Sequence, residues 1–190
     1  YVSESALLTR SILAQTRAEV TLTMRRGENV LITVIVPVLL LIFFASLGIV
    51  KAGTSRPVDF LLPGMLSLAV IATGMVSLGI ATGYERYYGV LKRLGASPLP
   101  RGGLIVAKAL SVVALEALQV ALLVVVAAVV YGWRLPQTSH TGQAIGTAVL
   151  ALLLGTAAFS ALGLAMAGAL RAEATLAGAN GLYLVFLLLS

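Results

Sequence analysis

The sequence predicts an all-α, polytopic membrane bundle with five spans in view. Three observations lead there. Of 190 residues, 59% are hydrophobic and only 11% charged, with a mean hydropathy of +1.04; a soluble domain carries about a quarter charged residues. Four apolar runs reach the ~20 residues that cross hydrocarbon, and a fifth opens near the end. The basic residues gather beside those runs, where they set topology. Hydrocarbon offers backbone groups no water, so the spans must be helices.

Residues 1–27 precede any span. Ser3 offers a cap, with Glu4 near the positive helix end, and Gly27 a stop. Arg10 and Arg17 share a face, and Arg25 and Arg26 follow. Two readings stand: a surface helix with its arginines toward lipid phosphates, or a plain lead-in that fixes topology.

The spans are read at 29–50, 60–83, 104–131, 143–170 and from 176 onward. Pro37 is expected to kink the first, and Pro63 to sit in the first turn of the second. The fifth run ends abruptly at Ser190 and reads as a fragment. The first is no signal peptide, because it starts late and no polar mature domain follows.

Nine basic residues (Arg10, Arg17, Arg25, Arg26, Arg86, Lys92, Arg93, Arg101 and Arg171) fall on one side, against Lys51, Arg56 and Arg134 on the other. The positive-inside rule therefore places the N-terminus and the 84–103 loop in the cytoplasm. The loops 51–59 and 132–142 face outward. Tyr131 and Trp133 then read as an outer aromatic anchor, and His140 as a solvated loop residue. Arg outnumbers Lys ten to three, which suggests a high-GC bacterial genome.

Several chemistries are excluded. Cysteine is absent and histidine single, so disulfides, thiolate metal sites and cysteine nucleophiles are out. The net charge of +6 belongs to membrane topology, not nucleic acid. No G-x-x-x-x-G-K-[ST] phosphate loop occurs. Too few His, Asp, Ser or Lys groups converge for a catalytic site.

The 84–103 loop is the most informative segment. Tyr87, Leu91 and Leu94 share a face, Gly95 supplies a stop, and Pro98 and Pro100 forbid further helix. This reads as one short amphipathic helix over 85–94, too short to stand alone in water. It either docks on the membrane surface or on another protein, or is simply a re-entry turn with topogenic charges.

Glu116 lies twelve residues into the third span, roughly 18 Å along its axis, with Gln119 on the same face. A carboxylate at that depth is costly unless paired, protonated or hydrated. Glu116 and Gln119 either face a translocation path or subunit interface, or the span starts later and Glu116 snorkels. Lys108 reads as snorkelling at the inner boundary. Small residues recur in stripes: Ala157, Ala161 and Ala165, with Gly163 and Ala167, in span four, and Ser67, Gly74, Ser77 and Ala81 in span two. Close helix packing explains them; a substrate path is the sharper alternative. Asn180 should find a partner on a neighbouring helix.

The FLLPGM of residues 60–65 and the GYERYYGVLKRLGASPLPR of residues 83–101 resemble the ABC-2 permease family, membrane subunits of bacterial ABC exporters of the daunorubicin-resistance type. That family carries Pro-Gly at the start of span two. Before span three it carries Glu-Arg, then Gly-x-Leu-Lys-Arg-Leu, then Ser/Thr-Pro-Leu-x-Arg. Arg25, Arg26 and Gly27 followed by Pro37 also fit. Tyr87-Tyr88 departs from the many relatives with a further charge there.

The resemblance implies a type V exporter-like transmembrane domain with six spans, so the sixth is expected beyond Ser190. It implies a coupling helix docking on a separate ATPase subunit through Glu85, Arg86, Tyr87, Gly89, Leu91, Lys92, Arg93 and Leu94, beside an N-terminal elbow helix. Gly89 would let backbones approach closely. ATP and Mg would be bound by that partner, with no cofactor in this chain. A second permease subunit would complete a homo- or heterodimer in the bacterial plasma membrane. Ser67, Gly74, Ser77, Glu116, Gln119 and Asn180 are the candidates for its path or interface, and a drug, lipid or lipid-linked glycan its cargo. The alternatives are a proton-coupled secondary transporter using Glu116, though no inverted repeat is seen, and a membrane assembly factor that transports nothing.

Overall fold

The computed structural model describes residues 4–25, 34–47, 57–95, 100–135 and 140–189. Ser3, Arg26, Gly27, Lys51, Arg56 and Pro98 lie outside them, and with them the expected cap and stop of the first helix. The elements are α1 Glu4–Arg25, α2 Val36–Leu47, α3 Pro57–Val70, a π-helical segment Ile71–Ser77, α4 Leu78–Tyr87, α5 Val90–Gly95, α6 Arg101–Tyr131, α7 Thr141–Ala169 and α8 Ala172–Leu189. Among the described residues four helices are long and apolar enough to cross a membrane: Pro57–Tyr87 as one rod, Gly102–Tyr131, Thr141–Ala169 and Ala172–Leu189. The shorter α2 lies within the first apolar run. The chain is a multi-pass membrane protein.

Span two is the hub, and its sequence says why. Gly74, Gly79 and Gly83 strip side chains from the face that meets α7 and α8. Helices in lipid gain nothing from hiding apolar surface, so they associate where backbones can approach. At Gly163 of α7 a Cβ would stand 2.7 Å from the Met75 carbonyl oxygen and 3.0 Å from that of Gly74. Of the small stripes read in α7, Gly163 and Ala167 face this contact, whereas Ala157, Ala161 and Ala165 face outward. Leu150, Leu154, Leu184 and Leu188 are likewise exposed, as suits side chains bathed in hydrocarbon.

The π segment replaces the even stripe expected in span two. A π turn carries one more residue than an α turn, so the register shifts across it. Ser67 and Gly74 lie on the α7 side, while Ser77 and Ala81 turn toward a groove beside α8. Pro63 is not in the first turn: the helix starts at Pro57, and Pro63 lies inside it. Pro37 follows a π turn at residues 34–35, a widening that tolerates the missing N–H.

The end of the bundle remote from α5 is closed by apolar packing. Leu41 of α2, Leu62 and Met65 of α3, and Leu123 and Ala127 of α6 form the buried cluster. The Tyr131 hydroxyl is not a free interfacial anchor. It donates to the Ile42 carbonyl at 2.9 Å and sits 3.0 Å from Ser46 Oγ, tying α6 to α2. Gly132, at φ +62°, ends α6, and the Trp133 N–H returns to the Ala127 carbonyl at 3.0 Å.

Along α1, Ile12, Thr16, Glu19, Val20 and Thr23 are half-buried. They share one face at helical spacing, and α1 lies with its main contact on α6. Arg10, Arg17 and Arg25 are exposed on the opposite face.

Candidate functional site

The charged residues gather at the end of the bundle that carries α5. Lys108, on the second turn of α6, is 3% exposed. Its Nζ donates to Glu19 Oε1 of α1 at 3.1 Å and lies 2.7 Å from Glu85 Oε2 of α4. Gln15 Nε2 also donates to Glu19 Oε1, at 3.0 Å, and steadies it. The expected snorkelling lysine is therefore a buried cation pinned by two carboxylates. The physical reason is local. Both carboxylates lie within its reach, and a buried charge is tolerated only when paired.

Glu85 and Arg86, expected as contacts for a partner, both bond within the chain, Glu85 half-buried and Arg86 exposed. Arg86 donates through Nη1 to the Gly168 carbonyl and through Nη2 to that of Leu170 at 2.7 Å. Those are the closing carbonyls of α7, unsatisfied by the helix itself and at its negative end. The two neighbours thus fasten the end of span two in two directions: Glu85 to Lys108 of α6, which also holds Glu19 of α1, and Arg86 to the α7–α8 turn.

The single 85–94 helix expected from the sequence is in fact two pieces. Residues 85–87 finish α4. The Tyr88 N–H still reaches the Tyr84 carbonyl at 2.9 Å, and that of Gly89 the Arg86 carbonyl at 3.2 Å. Gly89 then takes φ +71°, a left-handed conformation that side chains disfavour. A Cβ there would meet no atom of this chain within 4 Å, so within the chain Gly89 serves to turn the backbone. The six-residue α5 follows. Tyr87 and Tyr88 are 66% and 67% exposed. Lys92 and Arg93 are exposed, and Leu91 and Leu94 half-buried. The Tyr87 and Tyr88 rings meet edge to face at 5.1 Å, and Tyr84 stacks on Tyr88 at 6.2 Å. The outward face is aromatic and cationic.

The six residues expected on a path or interface do not converge. Ser77 and Asn180 line one groove of about 580 Å³, with Pro37, Ala81, Tyr84 and Tyr183. Asn180 Nδ2 donates to the Leu176 carbonyl of its own helix at 2.9 Å, so it bonds one turn back and not across to a neighbour. Ser67 lines a second, apolar groove with Phe159 and bonds back to the Pro63 carbonyl at 3.0 Å. Gly74 is buried against Ser160.

Glu116 and Gln119 lie in the interior. Glu116 is 5% exposed and near the middle of α6, so it does not snorkel. Its Oε2 is hydrogen-bonded to Thr156 Oγ1 of α7. Gln119, 1% exposed, accepts from Thr73 Oγ1 of the π segment at 2.8 Å. Together they stitch span three to spans two and four. Sequence reasoning missed Thr73, Thr156, Glu19 and the pairing of Lys108. The one available signal was the cost of an intramembrane charge, which demands a partner.

A family model described as ABC-2 type transporter matches residues 6–190. No curated protein and no solved structure matched the chain.

Proposed function

The chain belongs to the ABC-2 type transporter family, and from that premise we propose that it is the membrane subunit of an ATP-driven exporter whose ATPase is a separate chain. The observation that carries this reading is the build of the span-two end. α5 is a six-residue knob set off by Gly89, with Tyr87, Tyr88, Lys92 and Arg93 outward. Behind it, Glu85 holds Lys108 of α6, which also holds Glu19 of α1, and Arg86 holds the end of α7. A push on α5 therefore reaches four helices as a rigid displacement.

In this reading α5 and the outward face of Tyr87 and Tyr88 are the coupling surface for the ATPase, and that partner binds ATP and Mg. The basic end lies in the cytoplasm of a bacterium, by the positive-inside rule. α1 lies along the inner surface with Arg10, Arg17 and Arg25 toward phosphates. A second permease subunit completes the path. The groove beside Ser77 and Asn180, apolar with a few polar groups, suits an amphipathic cargo such as a drug, a lipid or a lipid-linked glycan.

The test is co-purification of the full-length protein, in mild detergent, with the ATPase encoded beside it. Stoichiometric capture, abolished by a Tyr87→Ser/Lys92→Ser/Arg93→Ser variant that still runs as a single species, supports the reading. Absence of any ATPase partner would turn the assignment toward a stand-alone transporter.

A further inference from the structure

The hydroxyl of Thr156 makes two contacts and owns one proton. Its Oγ1 lies 2.7 Å from the Leu152 carbonyl oxygen, which can only accept. It is also hydrogen-bonded to Glu116 Oε2. One hydroxyl hydrogen can be shared between two acceptors, but each contact has a hydrogen of its own only where Thr156 gives its own to Leu152 and the carboxyl supplies the other.

We infer that Glu116 is a proton-binding site in the middle of span three, a neutral carboxylic acid whose Oε2–H donates to Thr156 Oγ1 while Thr156 donates to the Leu152 carbonyl.

The surroundings agree. Oε1 of Glu116 is buried with no hydrogen-bond partner among the described residues. A carboxylate would leave half its charge there unpaired, whereas the carbonyl oxygen of an acid is cheaper to bury. Among the described residues no counter-ion is paired with it. The π segment, α2 and α7 carry no titratable residue, and the only one in α3 is Asp59 in its first turn. On α6 the nearest is Lys108, eight residues back, about 12 Å along the axis, and it is held by Glu19 and Glu85. The charged side chains of α1 whose surroundings are described are Glu19, in that same cluster, and the exposed Arg10, Arg17 and Arg25. Ser160, one turn from Thr156, is also buried and unpartnered, so the pocket offers hydroxyls and no charge.

The consequence is mechanical. α7 packs mainly on span two and only slightly on α6. The proton on Glu116 completes a direct bond between spans three and four. This holds whether or not an ATPase drives the chain.

Infrared spectroscopy of the full-length protein in lipid nanodiscs tests it. A protonated carboxyl gives a C=O stretch separate from that of carboxylate, and the stretch shifts in D2O. Wild type should show this band at neutral and mildly alkaline pH. Glu116→Gln should lack it. Thr156→Val, which keeps the shape and removes the acceptor, should retain the band and move it to higher frequency, assigning it with Glu116 in place. No band in wild type, a band that survives Glu116→Gln, or one that Thr156→Val leaves unmoved would overturn the assignment.

Discussion

Lys108 Nζ and Glu85 Oε2 stand 2.7 Å apart where span two ends, and that contact makes the turn into α5 part of the bundle. Lys108→Met should leave Glu19 and Glu85 facing each other without a cation. Removing one member of a buried ionic cluster costs about 3–5 kcal/mol. Replacing all three by neutral residues of similar shape should recover much of the loss, because the desolvation cost goes too. Thermal unfolding in detergent checks both. A Lys108→Met variant as stable as wild type would show that the pair contributes nothing.

The contact of α7 with the π segment predicts a steep position dependence for alanine. At Gly163 a new Cβ would meet backbone oxygens at 2.7 and 3.0 Å, whereas at Gly168 it would meet nothing within 4 Å. Backbone cannot swing aside as a side-chain tip can. Gly163→Ala should therefore destabilise by about 1–3 kcal/mol, the usual cost of overpacking. Gly168→Ala should be neutral or slightly stabilising, since it improves helix propensity. The difference in melting temperature between the two variants is the measurement.

Gly89 makes a different prediction, because its constraint is conformational. With φ +71° and open space around it, Gly89→Ala meets no clash but must adopt a left-handed backbone at about 1–2 kcal/mol. The cheapest relief is for α4 to run on into α5 as one helix, the continuous 85–94 helix that the sequence pattern suggests. Under the coupling proposal, ATPase capture should fall while the bundle stays folded. Capture unchanged in Gly89→Ala would separate the break from docking.

The legible and illegible parts of this fold divide by physical range. Tyr131 closes α6 where hydropathy ends the run, because the cost of burying polar residues in lipid is local. The helices around it begin or end up to a turn beyond the apolar runs, since Glu85 and Arg86 extend α4 by bonding elsewhere. The π segment left no mark on hydropathy: Ile71–Ser77 is as apolar wound either way. Gly74 hinted at a close approach, but its neighbour across the interface, Ser160, is 86 positions away. The partners of Lys108 were similarly hidden. Glu19 and Glu85 were both visible, and only the packing of α1 on α6 brings them to one cation.

The 83–101 motif should split into two halves with opposite phenotypes. Arg86 donates to the carbonyls of Gly168 and Leu170, so Arg86→Met should leave the α7 terminus uncapped. Arg86 is exposed, and a charge at an exposed helix end contributes about 0.3–1 kcal/mol. Arg86→Lys should not rescue fully, because an ammonium lacks the guanidinium's two-pronged reach. Lys92 and Arg93 are exposed on α5, so Lys92→Ser and Arg93→Ser should leave stability within about 0.5 kcal/mol of wild type and weaken ATPase capture. Melting temperature and capture, measured on the same four proteins, decide the matter. If Arg86→Met keeps full stability and loses only capture, its guanidinium serves the partner, and the cap on α7 is incidental.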